Sequence, residues 1–530
     1  MTTVRLDPVP LAADFSAYVW SPSTADVAAR RGLRPEQVLR FDQNTPSVPG
    51  VPQIPLAESF ARLNEYPDGT YRELREAAAM YVGLGAAAWR QVVVGAGADD
   101  LILLCARTFL HEGRRAAITP PTYVCYREAS QLAGAEIGEE IEGADLIWRC
   151  NPNNPTGQAI AAADLVVLAQ SVRHVPVVVD EAYVEFGGES VIPFLAEAPN
   201  LIVLRTMSKA FGFASLRVGY AVATPEVAAV LEERRAPAPV AGPAARIAAA
   251  ALREPRLDVA EIIAERERVR DALTAAGFDA PSTATNFVYV RSEKPLAAEL
   301  EAKGLVVRAV TSGIRITLRR PTDNDVLLRV LGIDAETPPG RGATVIRTTT
   351  ETALRITLDL DGSGRARVAT GIGFLDHLLT LMAFHAGFEL DVVAGGDLDV
   401  DEHHTVEDVL ASLGDALAQA LGSRDGVTRY GAATVPMDEA RATAAVDLVR
   451  RPHAEIELAF TGDRVGGLAL TLLPHALERF AMQAGCTVHV EASGRDDHHV
   501  AEAAFKALGR ALREACAPGA AGIRSTKGAA

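Results

Sequence analysis

The stretch Asp401-Glu402-His403-His404-Thr405-Val406-Glu407-Asp408 holds two adjacent histidines and a carboxylate three residues beyond the second. The same spacing returns near the end of the chain as His498-His499-Val500-Ala501-Glu502. Imidazole and carboxylate are ligands that manganese, iron and zinc accept in proteins. One such group of two histidines and a glutamate, called a packet below, could be a solvated acidic helix start with surface histidines. Two matched copies favour metal binding.

A single histidine precedes each packet. His377 comes 26 positions before His403 (403 − 377 = 26), and His475 comes 23 positions before His498 (498 − 475 = 23). This pattern indicates a duplicated half-domain. Eight ligands are predicted, dividing into two sites of three histidines and one glutamate: His377, His403, His404, Glu407, His475, His498, His499 and Glu502. The other nearby histidines have no counterpart in the repeat and are expected to be ordinary surface or core residues: His385, His453 and His489.

The local pattern predicts where the first packet sits. Thr405 followed three residues later by Asp408 fits a capping box, which would place His403 and His404 at a helix entry and Glu407 in the first turn.

The surrounding segments alternate between strand and helix patterns. Residues 344–350 and 354–360 alternate polar and apolar side chains, as half-exposed antiparallel strands do. Helical spacing follows around Leu375–Ala386, Glu407–Leu421 and Ala501–Ala515. These patterns predict an α+β domain.

Residues 343–530 resemble the imidazoleglycerol-phosphate dehydratase family. The resemblance rests on 347–352, 371–377, 401–408, 498–506 and 525–528. It implies a sandwich of two similar halves, two Mn2+ ions per unit, and a 24-subunit assembly with the metals at subunit contacts.

The same resemblance implies roles for further residues. Glu351 would be the acid/base group. The substrate phosphate would be bound by Arg429, Arg451, Lys506, Ser525 and Lys527. The histidines would be oriented by Asp376, Glu402, Asp438 and Glu439.

A polar segment rich in proline and glycine, residues 335–342, is predicted to be a linker. It would separate a first domain, 1–334, from a second, 343–530.

The first domain alternates helices with short, nearly continuous apolar strands. The predicted strands are 91–94, 116–119, 145–148, 175–179 and 201–204. This alternation predicts an α/β domain with a mainly parallel sheet, whose ligands gather at the carboxyl ends of the strands.

A polar motif follows each strand. The motifs are Gly95-Ala96-Gly97-Ala98-Asp99-Asp100, Pro120-Pro121-Thr122-Tyr123, Asn151-Pro152-Asn153-Asn154-Pro155-Thr156-Gly157, Asp180-Glu181-Ala182-Tyr183, and Thr206-Met207-Ser208-Lys209-Ala210-Phe211-Gly212 with Arg217 beyond it. Alone, the first could be a tight turn and Tyr123 a core residue. A lysine in a small-residue turn with an arginine eight positions later fits an imine-forming amine beside a phosphate-binding group.

In this order and spacing, the motifs resemble the fold type I aminotransferases that use pyridoxal 5'-phosphate, and within them the histidinol-phosphate aminotransferase family. The resemblance covers about residues 40–332, including Gly313-Ile314-Arg315-Ile316-Thr317. It implies a mainly parallel sheet, a small C-terminal α+β subdomain, and a dimer.

The resemblance also implies what each residue does. Lys209 would bond to the cofactor as an imine and carry the proton in catalysis. The cofactor would be contacted by Ala98, Asp99, Tyr123, Asn154, Asp180, Tyr183, Ser208 and Arg217, with Tyr66 reaching it from a partner subunit. Arg308 and Arg315 would bind the anionic groups of a phosphorylated imidazole substrate and of glutamate or 2-oxoglutarate.

Composition limits the partners. The net charge of −16 disfavours nucleic acid and anionic membranes as partners. No apolar run is long enough for a membrane helix, and five scattered cysteines favour a reducing, cytoplasmic environment.

Together the resemblances imply a bifunctional enzyme of histidine biosynthesis, because the dehydratase product is the aminotransferase's amino acceptor. The alternatives are an aromatic aminotransferase or a phosphothreonine-type decarboxylase in the first domain, one half acting only in assembly, or a histidine repeat that stores or senses metal.

Overall fold

The computed structural model describes residues 11–519 except 16, 18, 33–37, 47–59, 61, 256, 258 and 334–340. The chain divides into two compact units between residues 338 and 339. The predicted linker, 335–342, lies outside the described residues up to 340, and Gly342 already begins a strand. No helix in the described ranges is long and apolar enough to cross a membrane.

The first unit alternates strands and helices. Its helices are α1 Thr24–Arg31, α2 Arg72–Tyr81, α3 Ala98–Phe109, α4 Val124–Leu132, α5 Ala162–Ser171, α6 Pro225–Glu232, α7 Gly242–Arg253, α8 Val259–Ala275, α9 Leu296–Glu301 and α10 Pro321–Val330. Its strands are β1 Leu39–Phe41, β2 Val92–Gly95, β3 Arg115–Ala117, β4 Glu136–Gly138, β5 Leu146–Cys150, β6 Val177–Asp180, β7 Leu201–Thr206, β8 Gly219–Val222, β9 Phe287–Arg291, β10 Leu305–Val310 and β11 Gly313–Thr317.

Seven of these strands form one sheet in the order β2-β8-β7-β6-β5-β3-β4. β8 is antiparallel to both neighbours, and the other pairings are parallel. Val178 packs into one core cluster while Val177 and Val179 pack into another. Both faces are therefore covered, which explains the continuous apolar strands and confirms the mainly parallel sheet.

The carboxyl ends of the parallel strands bring the polar motifs to one edge. β5 leads into the Asn151 loop, β6 ends at Asp180, and β7 ends three residues before Lys209. A smaller sheet, in the order β1-β10-β11-β9, lies mostly in the C-terminal part of this unit, where a small α+β subdomain was predicted. It carries Arg308 and Arg315 directly opposite each other on β10 and β11.

The second unit consists of two halves with the same topology. Its strands are β12 Gly342–Thr348, β13 Thr352–Asp359, β14 Ala366–Ala369, β15 Glu389–Gly396, β16 Tyr430–Met437, β17 Ala440–Asp447, β18 His453–Leu458, β19 Arg464–Val465, β20 Leu468–Ala469 and β21 Thr487–Ser493. Its helices are α11 Gly373–Ala386, α12 His403–Leu421, α13 Leu472–Ala484 and α14 Asp497–Cys516. The sheets β12-β13-β15-β14 and β16-β17-β21-β18 have matching order and direction, and one continuous core joins them. The predicted duplication is confirmed.

The helices of the two halves pack crosswise. A side chain added to Gly509 of α14 would meet the backbone of Met382 in α11, and one added to Gly414 of α12 would meet the backbone of Phe480 in α13. These glycines are 95 positions apart (509 − 414 = 95), as are His403 and His498. Each helix pair therefore joins one half to the other at an equivalent point.

The predicted capping box is wrong. α12 begins at His403, two residues before Thr405, whose side chain is buried. The N–H of His403 instead donates to Asp401 Oδ1 at 2.8 Å. Asp408 pairs with Arg347 at 2.9 Å.

Candidate active sites

The first candidate site lies at the carboxyl end of β6. Asp180 is only 3% exposed, and its carboxylate accepts hydrogen bonds from the Tyr126 hydroxyl at 2.7 Å and the N–H of Ala182 at 3.1 Å. Burial raises the pKa of Asp180 to about 6. The carboxylate thus remains largely ionised at neutral pH and suits a protonated ring nitrogen.

Lys209 lies beside it, with Nζ 5.5 Å from the centre of the Tyr183 ring. Burial, followed by the positive charge of Arg315, lowers the pKa of Lys209 to about 8. An appreciable fraction of this amine is neutral near pH 7, as a nucleophilic lysine requires.

Tyr183 completes the turn that begins at Asp180. Its hydroxyl accepts a hydrogen bond from Asn44 Nδ2 at 2.8 Å, and its ring packs edge-on against Phe287. Burial raises the pKa of Tyr183, so the phenol stays protonated and can donate.

Arg315 is buried close to this turn. Its guanidinium donates to Asn154 Oδ1 at 2.7 Å and to the carbonyl of Asp42 at 2.7 Å. Asn154, predicted to contact the cofactor ring, thus also holds Arg315. The guanidinium of Arg308 donates to the Val19 carbonyl at 3.2 Å.

Polar and charged groups converge at the start of α3. Arg217 Nη2 donates to Asp99 at 3.0 Å, and the Tyr123 hydroxyl donates to the same carboxylate at 2.9 Å. Gly97 has φ 84°, and a side chain there would come within 2.7 Å of Arg217 Nη2. The N–H groups at Ala98 and Asp99 open the helix beside this guanidinium, an arrangement that favours a phosphate.

Two other residues predicted to contact the cofactor, Ser208 and Tyr66, differ in exposure. Ser208 is buried, and its Oγ accepts from Thr206 Oγ1 at 3.0 Å. Tyr66 is 94% exposed, so it lies at the surface of the chain. Lys209, Asp180, Tyr183 and the Gly97 region together fit pyridoxal phosphate.

The second candidate site is a pair of histidine–glutamate clusters in the second unit. His377 Nε2 lies 2.6 Å from Glu502 Oε1, and His498 Nε2 lies 3.1 Å from the same oxygen. The lone histidine of the first half thus meets the packet of the second half.

The other cluster is built the same way from the opposite halves. His475 Nε2 lies 3.1 Å from Glu407 Oε2, and His403 Nε2 lies 3.4 Å from it. In each cluster the three ligand atoms lie within 4.8 Å of one another. Two imidazole nitrogens and a carboxylate oxygen converging on one point fit a divalent ion.

His404 and His499 do not enter either cluster of their own chain. The Nδ1 of His404 lies 3.0 Å from Asp397, and the Nδ1 of His499 lies 3.0 Å from Glu439. A carboxylate on Nδ1 fixes a histidine ring and leaves Nε2 available as a ligand. His404 Nε2 lies 3.9 Å from Glu351.

The residues predicted to bind phosphate or orient histidines have varied surroundings. Lys506 bonds to Glu502 at 2.6 Å, and Arg429 pairs with Asp447 through two hydrogen bonds. Arg451 is exposed. Ser525 and Lys527 lie outside the described residues. Of the residues predicted to orient histidines, Glu439 contacts His499, and Asp438 lies 3.9 Å from the same ring. Asp376 instead bonds to Thr370. Glu402 bonds to the N–H of Ala469 and pairs with Arg464.

Several residues at these sites were not predicted from the sequence. Tyr126 and Asn44 contact the Asp180 turn, Asp397 orients His404, and Arg479 pairs with Glu407 at 3.0 Å. Tyr126, on the same helix face as Tyr123 one turn later, offered a recognisable signal. The others are single polar residues without a motif.

Residues 370–512 match the imidazoleglycerol-phosphate dehydratase family. The enzyme of that name from Magnetococcus marinus is 50% identical over 178 residues, which are 33% of this chain and 90% of the relative. That from Gluconacetobacter diazotrophicus is 49% identical over 192 residues, 36% of this chain and 97% of the relative.

Residues 36–139 and 135–331 match the class I and II aminotransferases. The histidinol-phosphate aminotransferase of Sinorhizobium meliloti, solved with pyridoxal-5'-phosphate, has a TM-score of 0.52 and 24% identity, covering 60% of this chain and 97% of that one. N-Succinyldiaminopimelate aminotransferase of Mycobacterium tuberculosis has a TM-score of 0.51 and 21% identity, covering 58% and 95%. At such identities these structures are similar in fold.

The predicted dehydratase family is confirmed, and the first domain is confirmed as an aminotransferase of the broader class I and II family. The chain joins a member of the class I and II aminotransferase family, over residues 36–331, to a member of the imidazoleglycerol-phosphate dehydratase family, over residues 370–512.

Proposed function

We propose that this chain catalyses two consecutive steps of histidine biosynthesis. Residues 343–530 dehydrate imidazoleglycerol phosphate to imidazole acetol phosphate. Residues 1–334 then transfer the amino group of glutamate to this ketone and release histidinol phosphate. The observation that carries the proposal is the union, in one chain, of a dehydratase that makes a phosphorylated ketone and an aminotransferase with two facing arginines, Arg308 and Arg315.

In the dehydratase, the two clusters would each hold one Mn2+, two per unit. When bound, the metals would favour the anionic form of the substrate imidazole and so promote loss of the adjacent hydroxyl. Glu351, near His404 Nε2, would move the proton between carbon and oxygen. The exposed Arg451 would bind the phosphate together with Ser525 and Lys527, while Arg429 and Lys506 add positive charge.

In the aminotransferase, Lys209 would bond to pyridoxal phosphate and move a proton at the substrate Cα. When bound, the cofactor would supply an electron sink for that carbon. Asp180 would hold the ring nitrogen protonated, and Tyr183 and Asn154 would face the ring oxygen. Tyr123 would cover the ring, and Ala98, Asp99, Ser208 and Arg217 would hold the phosphate.

We propose that the anionic groups of both substrates are read by arginine. Arg315 would bind the carboxylate of glutamate and, with Arg308, the phosphate of the imidazole substrate. Bidentate guanidinium contacts suit both groups. The amide of Asn154, which accepts from Arg315, would keep that guanidinium in place between half-reactions.

The assembly is proposed to combine an aminotransferase dimer with a 24-subunit dehydratase. The exposure of Tyr66 suits a role in a partner's cofactor site. His404 and His499, oriented but outside their own chain's clusters, suit metal ligation across subunit contacts. The five cysteines are free thiols, which fits the proposed cytoplasmic location.

The full chain, supplied with pyridoxal phosphate and Mn2+, should convert imidazoleglycerol phosphate and glutamate into histidinol phosphate and 2-oxoglutarate. Lys209→Ala should stop the sequence at the ketone, and Glu351→Gln should prevent ketone formation while leaving histidinol phosphate transamination intact. Phenylalanine or tyrosine acting as a far better amino donor than histidinol phosphate, or decarboxylation of phosphothreonine, would contradict the assignment.

A further inference from the structure

Asn44 is a buried residue outside the motifs, and its polar groups are hydrogen-bonded. Its Nδ2 donates to the Tyr183 hydroxyl at 2.8 Å, and its N–H donates to Thr317 Oγ1 at 3.0 Å. The Thr317 hydroxyl donates to Asn44 Oδ1 at 2.8 Å, and Asn286 Nδ2 donates to the Asn44 carbonyl at 3.1 Å. Asn44 is thus held from several directions.

These contacts fix which way the Asn44 amide faces. In the structure the Thr317 oxygen accepts the N–H of Asn44, and the Thr317 hydroxyl donates its single proton to Oδ1. The amide oxygen is therefore the acceptor on that side, and the NH2 group faces Tyr183. Because the Tyr183 oxygen accepts there, its own proton must point elsewhere.

The remaining direction leads into the cofactor site. Tyr183 shares a turn with Asp180, and its ring lies 5.5 Å from Lys209 Nζ. Phe287, in T-shaped contact with the Tyr183 ring, offers the hydroxyl proton no hydrogen-bond acceptor. The hydroxyl proton is thus left for a group bound between Lys209 and Asp180.

We infer that Asn44 is a positioning residue that directs the Tyr183 hydroxyl proton toward the ring oxygen of the bound cofactor. The inference rests on the proposed function of this site. Asn44 follows β1 and bonds to the end of β11, the strand that carries Arg315. Asn44 is therefore hydrogen-bonded both to β11, the strand with the substrate-binding Arg315, and to Tyr183, which faces the cofactor.

The chemical consequence is measurable. A hydroxyl that donates to the ring oxygen stabilises its anionic form and lowers the pH at which the visible absorbance of the bound cofactor changes. A hydrogen-bond acceptor in place of the Asn44 NH2 group would attract the Tyr183 proton to itself. The ring oxygen would then lose its donor.

Two substitutions of Asn44 separate the effect of its hydrogen-bond direction from the effect of its side-chain packing. Asn44 has φ 52°, a left-handed conformation that both Asp and Gly tolerate. Asn44→Asp keeps the shape but presents an acceptor, so the midpoint of the absorbance titration should rise by about one pH unit. Asn44→Gly removes the side chain and leaves the Tyr183 proton free, so its midpoint should move by less than half as much. A shift by Gly equal to or larger than that by Asp overturns the inference.

Tyr183→Phe serves as the control for the electrostatic field of the carboxylate that Asn44→Asp introduces. In that background Asn44→Asp should cause no further shift, whereas an additive shift means that charge alone acts and overturns the inference. Thr317→Val, which frees the amide to turn, is the second variant and should also raise the midpoint; an unchanged midpoint contradicts the orientation. A wild-type chain that gains no visible band with pyridoxal phosphate, or a Lys209→Ala chain that keeps it, instead refutes the proposed function.

Discussion

The amine of Lys209 is tuned by its surroundings. Its pKa is lowered to about 8 by burial and then by Arg315, so its neutral fraction grows as the pH rises through that value. The rate at which cofactor-free protein captures pyridoxal phosphate, followed by visible absorbance, should rise with a midpoint near pH 8. Arg315→Gln removes the repelling charge and should move the midpoint upward, whereas Arg291→Gln, paired with Asp279 at the surface, should not. Equal midpoints in both variants would contradict this account.

Tyr126 stabilises the ionised form of Asp180. Tyr126→Phe should lower the free energy of unfolding of the cofactor-free protein by about 1.5–3 kcal/mol at pH 8, the usual value of a hydrogen bond to a charged group. Because the pKa of Asp180 is raised to about 6, the carboxyl is protonated below that pH and the loss should shrink by pH 5. Urea unfolding at both pH values measures this.

The matched control is Tyr71→Phe. Tyr71 is also buried, but its hydroxyl donates to the neutral carbonyl of Val240 at 2.6 Å. Its loss of stability should be the same at pH 5 and pH 8. A pH dependence shared by both variants would mean that Asp180 is not the cause.

At the scale of single residues, side chains that belong to motifs were predictable from the sequence, and those that only support the motifs were not. Lys209, Asp180 and Tyr183 come together as their spacing after parallel strands predicts. Asn44 and Tyr126 reach the same turn from distant parts of the chain, and such contacts depend on tertiary packing. The spacing of the motifs also does not predict the hydrogen-bond and ion-pair partners of these side chains.

Among the elements, the crossed helix pairs carry the clearest prediction. Gly509→Ala would push α14 from α11 and separate His498 and Glu502 from His377, because the added methyl meets backbone rather than a flexible side chain. We expect a stability loss of about 1–3 kcal/mol and weaker metal binding by one of the two clusters. Titration of metal-free protein with Mn2+ should show one site weakened and the other unchanged.

Gly414→Ala should give the same result at the other cluster, since it sits at the equivalent contact of α12 with α13. Gly467 has open space around it, so Gly467→Ala should leave both stability and metal binding unaltered. If both clusters weakened equally in each variant, the two helix pairs would not act as separate supports.

Strands and helices with strong periodicity were predictable, but their exact starts were not. α13 was missed although Leu473, Ala476, Leu477 and Phe480 have helical spacing. Pro474 lies in its first turn, where proline is tolerated. α12 begins at His403, whose N–H donates to Asp401, so the polar contact at the helix start comes from before the histidines rather than from Thr405.

At the scale of the whole molecule, the repeat predicted two metal sites but not how the halves share them. Each lone histidine joins the packet of the other half, because the helices pair across the duplication. The predicted three histidines and one glutamate per site become two histidines and one glutamate within a chain. His404 and His499 are the two that remain, and both are held by a carboxylate.

The positions of His404 and His499, outside the clusters of their own chain, lead to a prediction about assembly. If these histidines complete the metal sites of neighbouring chains, removing the metals should reduce both the dehydratase activity and the mass of the particle, while the visible band of the bound cofactor persists. Mass photometry before and after chelation, with Mn2+ added back, measures this. His404→Ala and His499→Ala should lower the mass even with Mn2+ present, because each removes a ligand that only a neighbour can use. His489→Ala, an exposed histidine on the strand β21, is the matched control and should leave the particle intact. A particle that keeps its mass after losing its metals would show that the subunit contacts form without them.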